Sequence, residues 1–281
     1  MTLRILLSTL SLVALSTSSV WARNSQILDY SKEASATGEQ ASDWSGFVAA
    51  GAIYLPEYDG SEDYQAIPAL AGQVNKGNYY LALRGLQAMA NVVDSSQFNA
   101  GPMLQFRFGR DGEGIDNTAI AALRPVDDAV EFGGFASWIE RGLWHQGDNL
   151  ELTAELLQDV ANGHGGYLGE VGATYFTPVT QRLRYSVNGF LNYQSQDYMD
   201  SYFTVDADNA ARSGIRTHDA QAGFNSFSIG NQLFYSFDAN WGLMGLVNYT
   251  RFIADAASSP IIEDNGTPDQ FLSVLAVTYR F

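Results

Sequence analysis

Segments in which apolar and polar side chains alternate recur from about residue 44 onward, and they constrain the fold more than any other feature. The clearest covers residues 181–193, and a period of two is the period of a β-strand with one apolar and one polar face. Leu183, Tyr185, Val187, Leu191 and Tyr193 share one face there, and Arg182, Arg184, Ser186, Asn188 and Asn192 share the other. The pattern predicts about twelve strands, near residues 44–55, 63–74, 78–84, 86–93, 97–108, 129–140, 149–159, 167–178, 182–196, 221–235, 241–253 and 270–281.

The connections between these segments are of two kinds. Short ones cover residues 75–77, 94–96, 177–181 and 236–240, and long ones cover residues 109–128, 197–220 and 254–269. Short turns at one end and long loops at the other are typical of outer-membrane barrels. Since every backbone polar group in lipid must be bonded internally, a spanning sheet must close on itself. The sequence therefore predicts an all-β fold: a transmembrane, antiparallel, up-and-down β-barrel of about twelve strands, with an even strand number.

Composition helps to choose between this barrel and a soluble β-sandwich or lipocalin-like barrel, which also alternates. Charged residues make up 16% of the sequence, below the roughly 25% of soluble proteins. The apolar faces are rich in aromatic residues near strand ends, as a membrane-interface girdle requires. These features favour an apolar face that is turned outward to lipid and lipopolysaccharide. The formal net charge of −16 excludes nucleic acid as a partner, because phosphates need a basic surface.

Both ends of the sequence carry expectations about export. Residues 1–22 have a basic start, an apolar stretch and small residues before a cleavage site, which predicts a Sec signal peptide. Residues 23–43 are polar and aperiodic, and we expect a flexible periplasmic segment ahead of a barrel domain over residues 44–281. The last strand should close the barrel against the first, with Tyr279 and Phe281 facing lipid and acting as the signal for the outer-membrane insertion machinery.

The polar faces supply candidate residues for the lumen. If lipid lies outside, these side chains project inward and either pair across a narrow, filled barrel or line a water-filled route. The candidates are Arg84, Arg107, Glu131, Glu151, Glu155, Glu170, Arg182 and Arg184. The bulky Met103 and Phe190 also point inward, which favours a narrow or filled lumen.

No residue pattern indicates a cofactor, a metal site or a catalytic centre. His145 falls in a predicted periplasmic turn, and His164 and His218 fall in predicted external loops, where solvated side chains are expected. No serine motif accompanies them, which leaves an envelope lipid hydrolase as a remote alternative. The acidic stretches at 57–63, 109–117, 126–131, 205–208 and 261–266 are interpreted as loops, with binding of divalent ions left open.

Several stretches resemble the MipA/OmpV family of Gram-negative outer-membrane proteins. They are YLPEYDGSEDYQAIPAL at 54–70, AGPMLQFRFGR at 100–110, NGHGGYLGEVGATYF at 162–176, YFTVDADNAARSGIRTHDAQAG at 202–223 and the segment 255–281. The resemblance implies a β-barrel in the outer membrane without a known catalytic residue set. It also implies a scaffold that links a murein lytic transglycosylase to a peptidoglycan synthase. The alternative function is a narrow, porin-like channel for small solutes.

Overall fold

The computed structural model describes residues 44–112 and 114–281, and within these ranges twelve strands form one closed antiparallel barrel. This confirms the predicted fold class. The predicted signal peptide and the lead-in segment at residues 23–43 lie outside the described residues. The strands are β1 Trp44–Pro56, β2 Tyr64–Lys76, β3 Tyr79–Arg84, β4 Gln87–Asn91, β5 Phe98–Arg107, β6 Ala129–Arg141, β7 Asn149–Asp159, β8 Tyr167–Pro178, β9 Leu183–Gln194, β10 Gly223–Ser236, β11 Trp241–Phe252 and β12 Asp269–Arg280.

Short helices occupy the long connections. They are α1 Thr118–Ala121, α2 Gln196–Tyr202, α3 Ala207–Ser213, α4 Ala254–Ser258 and α5 Pro260–Glu263. Side-chain caps define several of their starts: the Asn117 side chain accepts from the N–H groups of Ala119 and Ile120, and Asp206 accepts from that of Asn209. In the described part of the chain, none of the helices has the length and apolarity needed to cross a membrane.

The barrel closes where the last strand meets the first. β12 pairs with β1 over eight registered positions, from Phe47 opposite Arg280 to Tyr54 opposite Ser273. Beyond β12, the N–H of Phe281 donates to the carbonyl oxygen of Gly46, and the N–H of Gly46 donates to the carbonyl oxygen of Phe281, each at 3.1 Å. The predicted closing strand is therefore confirmed. An even number of strands brings both ends of the barrel sequence to the short-turn, periplasmic end.

The barrel wall extends least far toward the external side at the β3–β4 hairpin, because its two strands have only six and five residues. β3 pairs only with residues 71–76 of β2, and the N–H of Gly85 at the hairpin tip donates to the carbonyl oxygen of Leu70 at 2.9 Å. Residues 64–69 of β2 continue above the tip without β3 beside them. Pro68 lies in that segment, which fits the confinement of proline to strand edges.

The outward face of the barrel is an apolar belt. Val277 and Tyr279 of β12 and the following Phe281 are exposed, whereas Thr278 and Arg280 are buried, so the predicted orientation of this strand is correct. Exposed apolar side chains continue around the wall as Val48, Leu70, Leu81, Leu104, Phe132, Leu152, Leu156, Val171, Leu191, Ile229, Leu233, Val247, Phe271 and Leu275. Aromatic pairs such as Trp241–Tyr279 and Tyr249–Phe271 lie near the strand ends, as in membrane-interface girdles.

The inward face divides into an apolar and a polar half. The apolar half comes mainly from β1, β11 and β12, and it explains why Leu272 and Val274 interrupt the alternation of the last strand. Its buried residues are Phe47, Ala49, Ile53, Leu55, Ala69, Phe176, Phe234, Met244, Leu246, Leu272, Val274 and Ala276. Charged and amide side chains of β3 to β9 predominate in the opposite half, around a smaller apolar cluster of Ala82, Met89, Met103, Phe135 and Leu157. Part of the barrel interior is therefore packed like the core of a soluble protein.

Phe190 depends on the missing side chain of the residue opposite it. Gly172 of β8 pairs directly with Phe190 of β9, and a methyl group at Gly172 would collide with the Phe190 ring and with the carbonyl oxygen of Gly189. We expect Gly172→Ala to lower the free energy of unfolding by about 1–3 kcal/mol because the interior becomes overpacked. Urea unfolding in detergent micelles measures this. Gly245→Ala is the matched control, since nothing lies within 4 Å of a methyl group there; equal losses in both variants would contradict the prediction.

Candidate functional site

The structure places the predicted lumen residues in two different settings. Arg182 lies in the β8–β9 turn and is exposed at the periplasmic rim. Arg184 is buried and faces inward, and it lines the same rim. The other predicted side chains lie on the buried face of their strands and point inward; they are Arg84, Arg107, Glu131, Glu151, Glu155 and Glu170.

Glu131 of β6 is the centre of a buried polar network. Its carboxylate accepts from Arg107 Nε at 2.6 Å, from Gln105 Nε2 at 2.8 Å and from His164 Nε2 at 2.9 Å. Glu131 is fully buried, and Arg107 is 3% exposed. The interpretation of the stretch 126–131 as a loop is wrong for its last three residues, which belong to β6, as the predicted strand near 129–140 indicates. These hydrogen bonds offset the free energy that the carboxylate loses when it is removed from water.

His164 is not the solvated loop residue that the sequence suggested. It is 5% exposed, and its Nδ1 accepts from the N–H of Gly166 at 3.1 Å. Its Nε2 is therefore the protonated nitrogen, and it donates to Glu131. With both nitrogens engaged, the imidazole has no free lone pair for activating a serine. His145 is exposed in the β6–β7 turn, and His218 Nε2 lies 3.2 Å from the carbonyl oxygen of Asp255.

The network connects the wall to the loops above it. The Arg107 guanidinium lies 5.6 Å from the centre of the Tyr198 ring in α2, and the ring of His164 packs edge-on against Tyr198 at 4.9 Å. Tyr198 in turn packs against Tyr202 at 4.6 Å. Strands β5 and β6, the β7–β8 loop and α2 thus share one set of contacts. Substitutions of Glu131 should therefore disturb the packing of α2 in the external loops.

Four external connections fold together into a structure that we call the loop cap, formed by residues 57–63, 108–112, 114–128, 195–222 and 253–268. Two buried apolar clusters hold it together, and several members have no exposed surface at all. The first contains Val126, Tyr198, Met199, Tyr202, Phe203, Ala220, Phe252, Ala256 and Ile262, and the second contains Tyr58, Ile120, Leu123, Val205, Ile215 and Ile261. The loop cap has its own hydrophobic core and covers the outward end of the barrel.

Polar contacts across the loop cap join connections that are distant in sequence. Arg124 donates to Asp206 at 2.9 Å, and Arg216 pairs with Glu263 and with Asp264, the latter at 2.8 Å. The Tyr58 hydroxyl donates to the carbonyl oxygen of Asn265 at 3.3 Å. Burial raises the pKa of Tyr58 to about 12, so its hydroxyl remains a donor at physiological pH.

Below the loop cap lies a cavity of about 80 Å³. Tyr198 and Asp59 of the loop cap form part of its roof, and side chains of β4, β5 and β7 to β12 form its walls. Gln87, Gln105, Glu155, Glu170, Gln194 and Asn248 are among the lining residues. No sequence pattern predicts this cavity, because its lining residues, which also include Leu157, Leu168 and Phe252, come together only when the barrel closes.

The periplasmic end carries a well-ordered turn between β6 and β7. Asp148 accepts from the backbone N–H groups of Leu143, Trp144 and His145 at 2.8–3.0 Å, and from the Tyr175 hydroxyl at 2.9 Å. Although desolvation opposes them, these hydrogen bonds hold the pKa of Asp148 below its ordinary value. The turn presents Leu143 and Trp144 outward, with Trp144 64% exposed. A second feature of this end is a depression of about 600 Å³ lined by Arg182, Arg184 and Asp238, among others.

Metal ligation gains no support from the arrangement of side chains. Over residues 44–112 and 114–281, no three His, Cys, Asp or Glu side chains are grouped as potential ligands.

Comparison with known proteins decides the family. The model of the family described as MltA-interacting protein MipA matches residues 48–281. The chain belongs to this family. Outer membrane protein Omp26La of Vibrio anguillarum and outer membrane protein OmpV of Vibrio cholerae are each 31% identical to it over 124 residues. Those residues are 44% of this chain and 46% of each relative, so the match spans about half the length of these curated relatives.

Solved structures with a similar outline are more distant. An outer membrane channel from Pseudomonas putida F1 matches 86% of this chain and 97% of its own, with a TM-score of 0.45 and 11% identity. The translocator domain of the autotransporter NalP from Neisseria meningitidis matches 97% of this chain and 100% of its own, with a TM-score of 0.42 and 10% identity.

The MipA family match, the outer-membrane relatives and the closed barrel with its apolar belt establish the location of the protein. It is an outer-membrane β-barrel whose belt contacts lipid, as the sequence predicted. The role of Tyr279 and Phe281 as an insertion signal stays a prediction; both side chains face outward at the periplasmic end.

The Arg107–Glu131 pair of this MipA-family barrel should show strong energetic coupling. We expect Arg107→Leu and Glu131→Leu each to lower the free energy of unfolding by about 3–5 kcal/mol, because each leaves a buried charge unpaired. The double variant should lose much less than the sum of the two. A double-mutant cycle from urea unfolding in micelles measures the coupling. Arg182→Leu, in an exposed turn, should change stability by no more than about 0.5 kcal/mol. Additive losses in the cycle would count against the coupling.

Proposed function

We propose that the protein is a non-enzymatic outer-membrane anchor that holds peptidoglycan-remodelling enzymes at the periplasmic face of the barrel. The observation that carries the proposal is the loop cap, whose two buried apolar clusters cover the outward end. A covered outward end makes the periplasmic end the accessible one. The name of the family, MltA-interacting protein, supports a lytic murein transglycosylase as one partner. A peptidoglycan synthase is proposed as the second partner on the family resemblance alone.

The β6–β7 turn is the feature of the periplasmic end best suited to contact a partner. Exposed tryptophan side chains on ordered supports are frequent binding hot spots, since little conformational entropy is lost when they are buried. Trp144 is exposed, and its backbone is fixed by Asp148. Its ring also packs edge-on against Tyr175 at 4.9 Å, which restricts its rotation.

A lipid hydrolase is a weaker function for this barrel. A serine hydrolase needs a histidine with one nitrogen facing the nucleophile and the other facing an acid. His164 has the acid, Glu131, but its second nitrogen accepts from a backbone N–H. The Glu131–His164 pair is better explained as a connection between the wall and the β7–β8 loop.

The anchor proposal predicts that loss of the Trp144 side chain weakens partner binding. The full-length protein in detergent is immobilised, and binding of a purified murein lytic transglycosylase and of a peptidoglycan synthase is measured. We expect the wild type to bind at least one of them and Trp144→Ala to bind it roughly tenfold more weakly.

Trp138→Ala is the matched control for this experiment. Trp138 is 48% exposed on β6 of the same hairpin, but it belongs to the lipid-facing belt. Its variant should bind the partners like the wild type. Absence of any binding by the wild type would contradict the anchor proposal, and equal weakening by both variants would exclude the β6–β7 turn as the contact.

A narrow channel for small solutes is the second candidate function. One observation favours it: the inward-facing Arg184 lines the depression of about 600 Å³ at the periplasmic rim. Planar-bilayer recording separates the two functions. The anchor proposal predicts no discrete conductance steps, because the loop cap covers the other end. Steps whose ion selectivity reverses in Glu151→Lys or Arg184→Glu would instead establish a channel lined by these residues.

A further inference from the structure

The barrel wall has a gap above the tip of the β3–β4 hairpin, and we call it the wall gap. On one side of the tip, the N–H of Gly85 donates to the carbonyl oxygen of Leu70 at 2.9 Å. On the other side, the N–H of Phe106 donates to the carbonyl oxygen of Leu86 at 3.0 Å. Above these two contacts, residues 64–69 of β2 and the end of β5 have no strand between them. Since neighbouring strands lie about 4.8 Å apart, the two missing strands leave a space about 10 Å wide at this level.

The inward-facing side chains of β2 are less buried beside the wall gap than their partners on β1. Ile53 of β1 is directly paired with Ile67 of β2 on one side and with β12 on the other. Ile53 is 5% exposed, whereas Ile67 is only half-buried. The next inward pair repeats the difference, because Leu55 is 3% exposed and Gln65 is half-buried. The wall gap therefore reaches the interior beside its apolar half, against which Ile67 packs.

The edge of β2 along the wall gap carries unpaired backbone groups. The carbonyl oxygen of Leu70 faces the hairpin, and every second residue of a strand turns its backbone groups to the same side, so Pro68 and Ala66 face the gap. Within the described part of the chain, neither has a hydrogen-bond partner on that side. Pro68 has no N–H and presents only a carbonyl oxygen. Ala66 presents one donor and one acceptor, and such groups need a partner in a membrane.

The height of Ala66 in the membrane indicates what can pair with it. Ala66 is directly opposite Tyr54 of β1, whose ring stacks on that of Tyr64 at 5.1 Å near the external ends of the strands. Aromatic side chains at strand ends mark the membrane interface, which is where acyl chains are joined to the headgroup of a lipid. An ester linkage can only accept a hydrogen bond. An amide linkage donates one and accepts one, as Ala66 requires.

The rest of the wall gap is apolar. Pro68 and Leu70 on β2 and Leu86 at the hairpin tip are exposed, and they face outward as part of the belt. Phe106 of β5 lies on the opposite side of the gap, and Ile67 lies at its inner side. An acyl chain that lies along the edge of β2 would contact these side chains.

We propose that the wall gap binds an amide-linked acyl chain of lipopolysaccharide, the lipid of the outer leaflet. The chain occupies the space of the missing strands, and its amide pairs with the backbone of Ala66. The site is continuous with the belt that already contacts lipid, which provides the ligand at this height. It is independent of the partner binding proposed at the periplasmic rim.

Photochemical cross-linking tests the site in the full-length protein in lipid vesicles. Two probes have the same phosphocholine headgroup and a diazirine in the acyl chain, which is amide-linked in sphingomyelin and ester-linked in phosphatidylcholine. Mass spectrometry locates the labelled residues. We expect sphingomyelin to label Ile67 more strongly than phosphatidylcholine does, and both probes to label the exposed Leu191 of β9 equally. Absence of label at Ile67 would overturn the proposal, and equal labelling of Ile67 by the two probes would overturn recognition of the amide.

Leu246 is the internal control for the interior of the barrel. It also faces inward, at 6% exposure, and it is connected to Ile67 through the directly paired residues Ile53 and Val274, but strands cover it on both sides. Leu246 should stay unlabelled, and labelling of Leu246 as strong as that of Ile67 would overturn a path through the wall gap. Unlabelled lipopolysaccharide should compete with the sphingomyelin probe at Ile67 and not at Leu191. Failure to compete would overturn lipopolysaccharide as the ligand.

A backbone variant tests the pairing with Ala66. Ala66→Pro removes the N–H that faces the gap without removing a hydrogen bond between strands, and it should abolish the preference for the amide-linked probe. Ala66→Val keeps the N–H at the same exposed position and is the matched control, which should retain the preference. An undiminished preference in Ala66→Pro would overturn the pairing.

A longer hairpin tests the space itself. Inserting Val-Thr after Arg84 and Thr-Val before Gln87 preserves the alternation of β3 and β4 and places strand residues beside Pro68 and Ala66. This variant should lose the label at Ile67 and keep it at Leu191; wild-type labelling of Ile67 would overturn the proposal. Native mass spectrometry separates the other occupant of a strand edge. A dimer of the wild type that the longer hairpin abolishes would overturn the proposal in favour of a second copy paired along β2.

Discussion

The structure depends on the closure of the sheet between β1 and β12. In lipid an unpaired strand edge leaves backbone N–H and carbonyl groups without partners, and each costs several kcal/mol. The paired backbone of Gly46 and Phe281 extends the β1–β12 pairing to the periplasmic end of the barrel. Closure also turns one face of every strand inward. The polar and apolar halves of the interior exist because these faces meet across a closed wall.

The closed wall supports a second folded layer, the loop cap. Its apolar clusters would be exposed on isolated loops, and they are buried because four connections meet above the same barrel end. Glu131 connects to the loop cap through two of its partners, since Arg107 and His164 both pack against Tyr198. The same carboxylate accepts from Gln105, whose carbonyl oxygen accepts from Gln87 in the cavity. One buried carboxylate thus contributes to wall, loop cap and cavity.

Much of the barrel could be predicted from local pattern. The alternation in β9 places Arg184 inward and Leu191 outward, and the structure agrees. Where the pattern weakens, the structure supplies the reason: Leu272 and Val274 break the alternation of β12 because the lumen is apolar beside them. A Gly-rich loop sequence predicts exposure for His164, and this prediction is wrong because the residue that buries it, Glu131, is 33 residues away in the chain.

The sequence by itself determined the strands, the faces they turn to lipid and the location of the protein, because a period of two is a local property that lipid and backbone hydrogen bonding enforce. Only the tertiary structure decided which inward-facing groups meet. The loop cap joins Tyr58 to Asn265, 207 residues apart, and the cavity collects side chains from most of the wall. Such contacts depend on register and closure around the whole barrel, and no single segment carries that information.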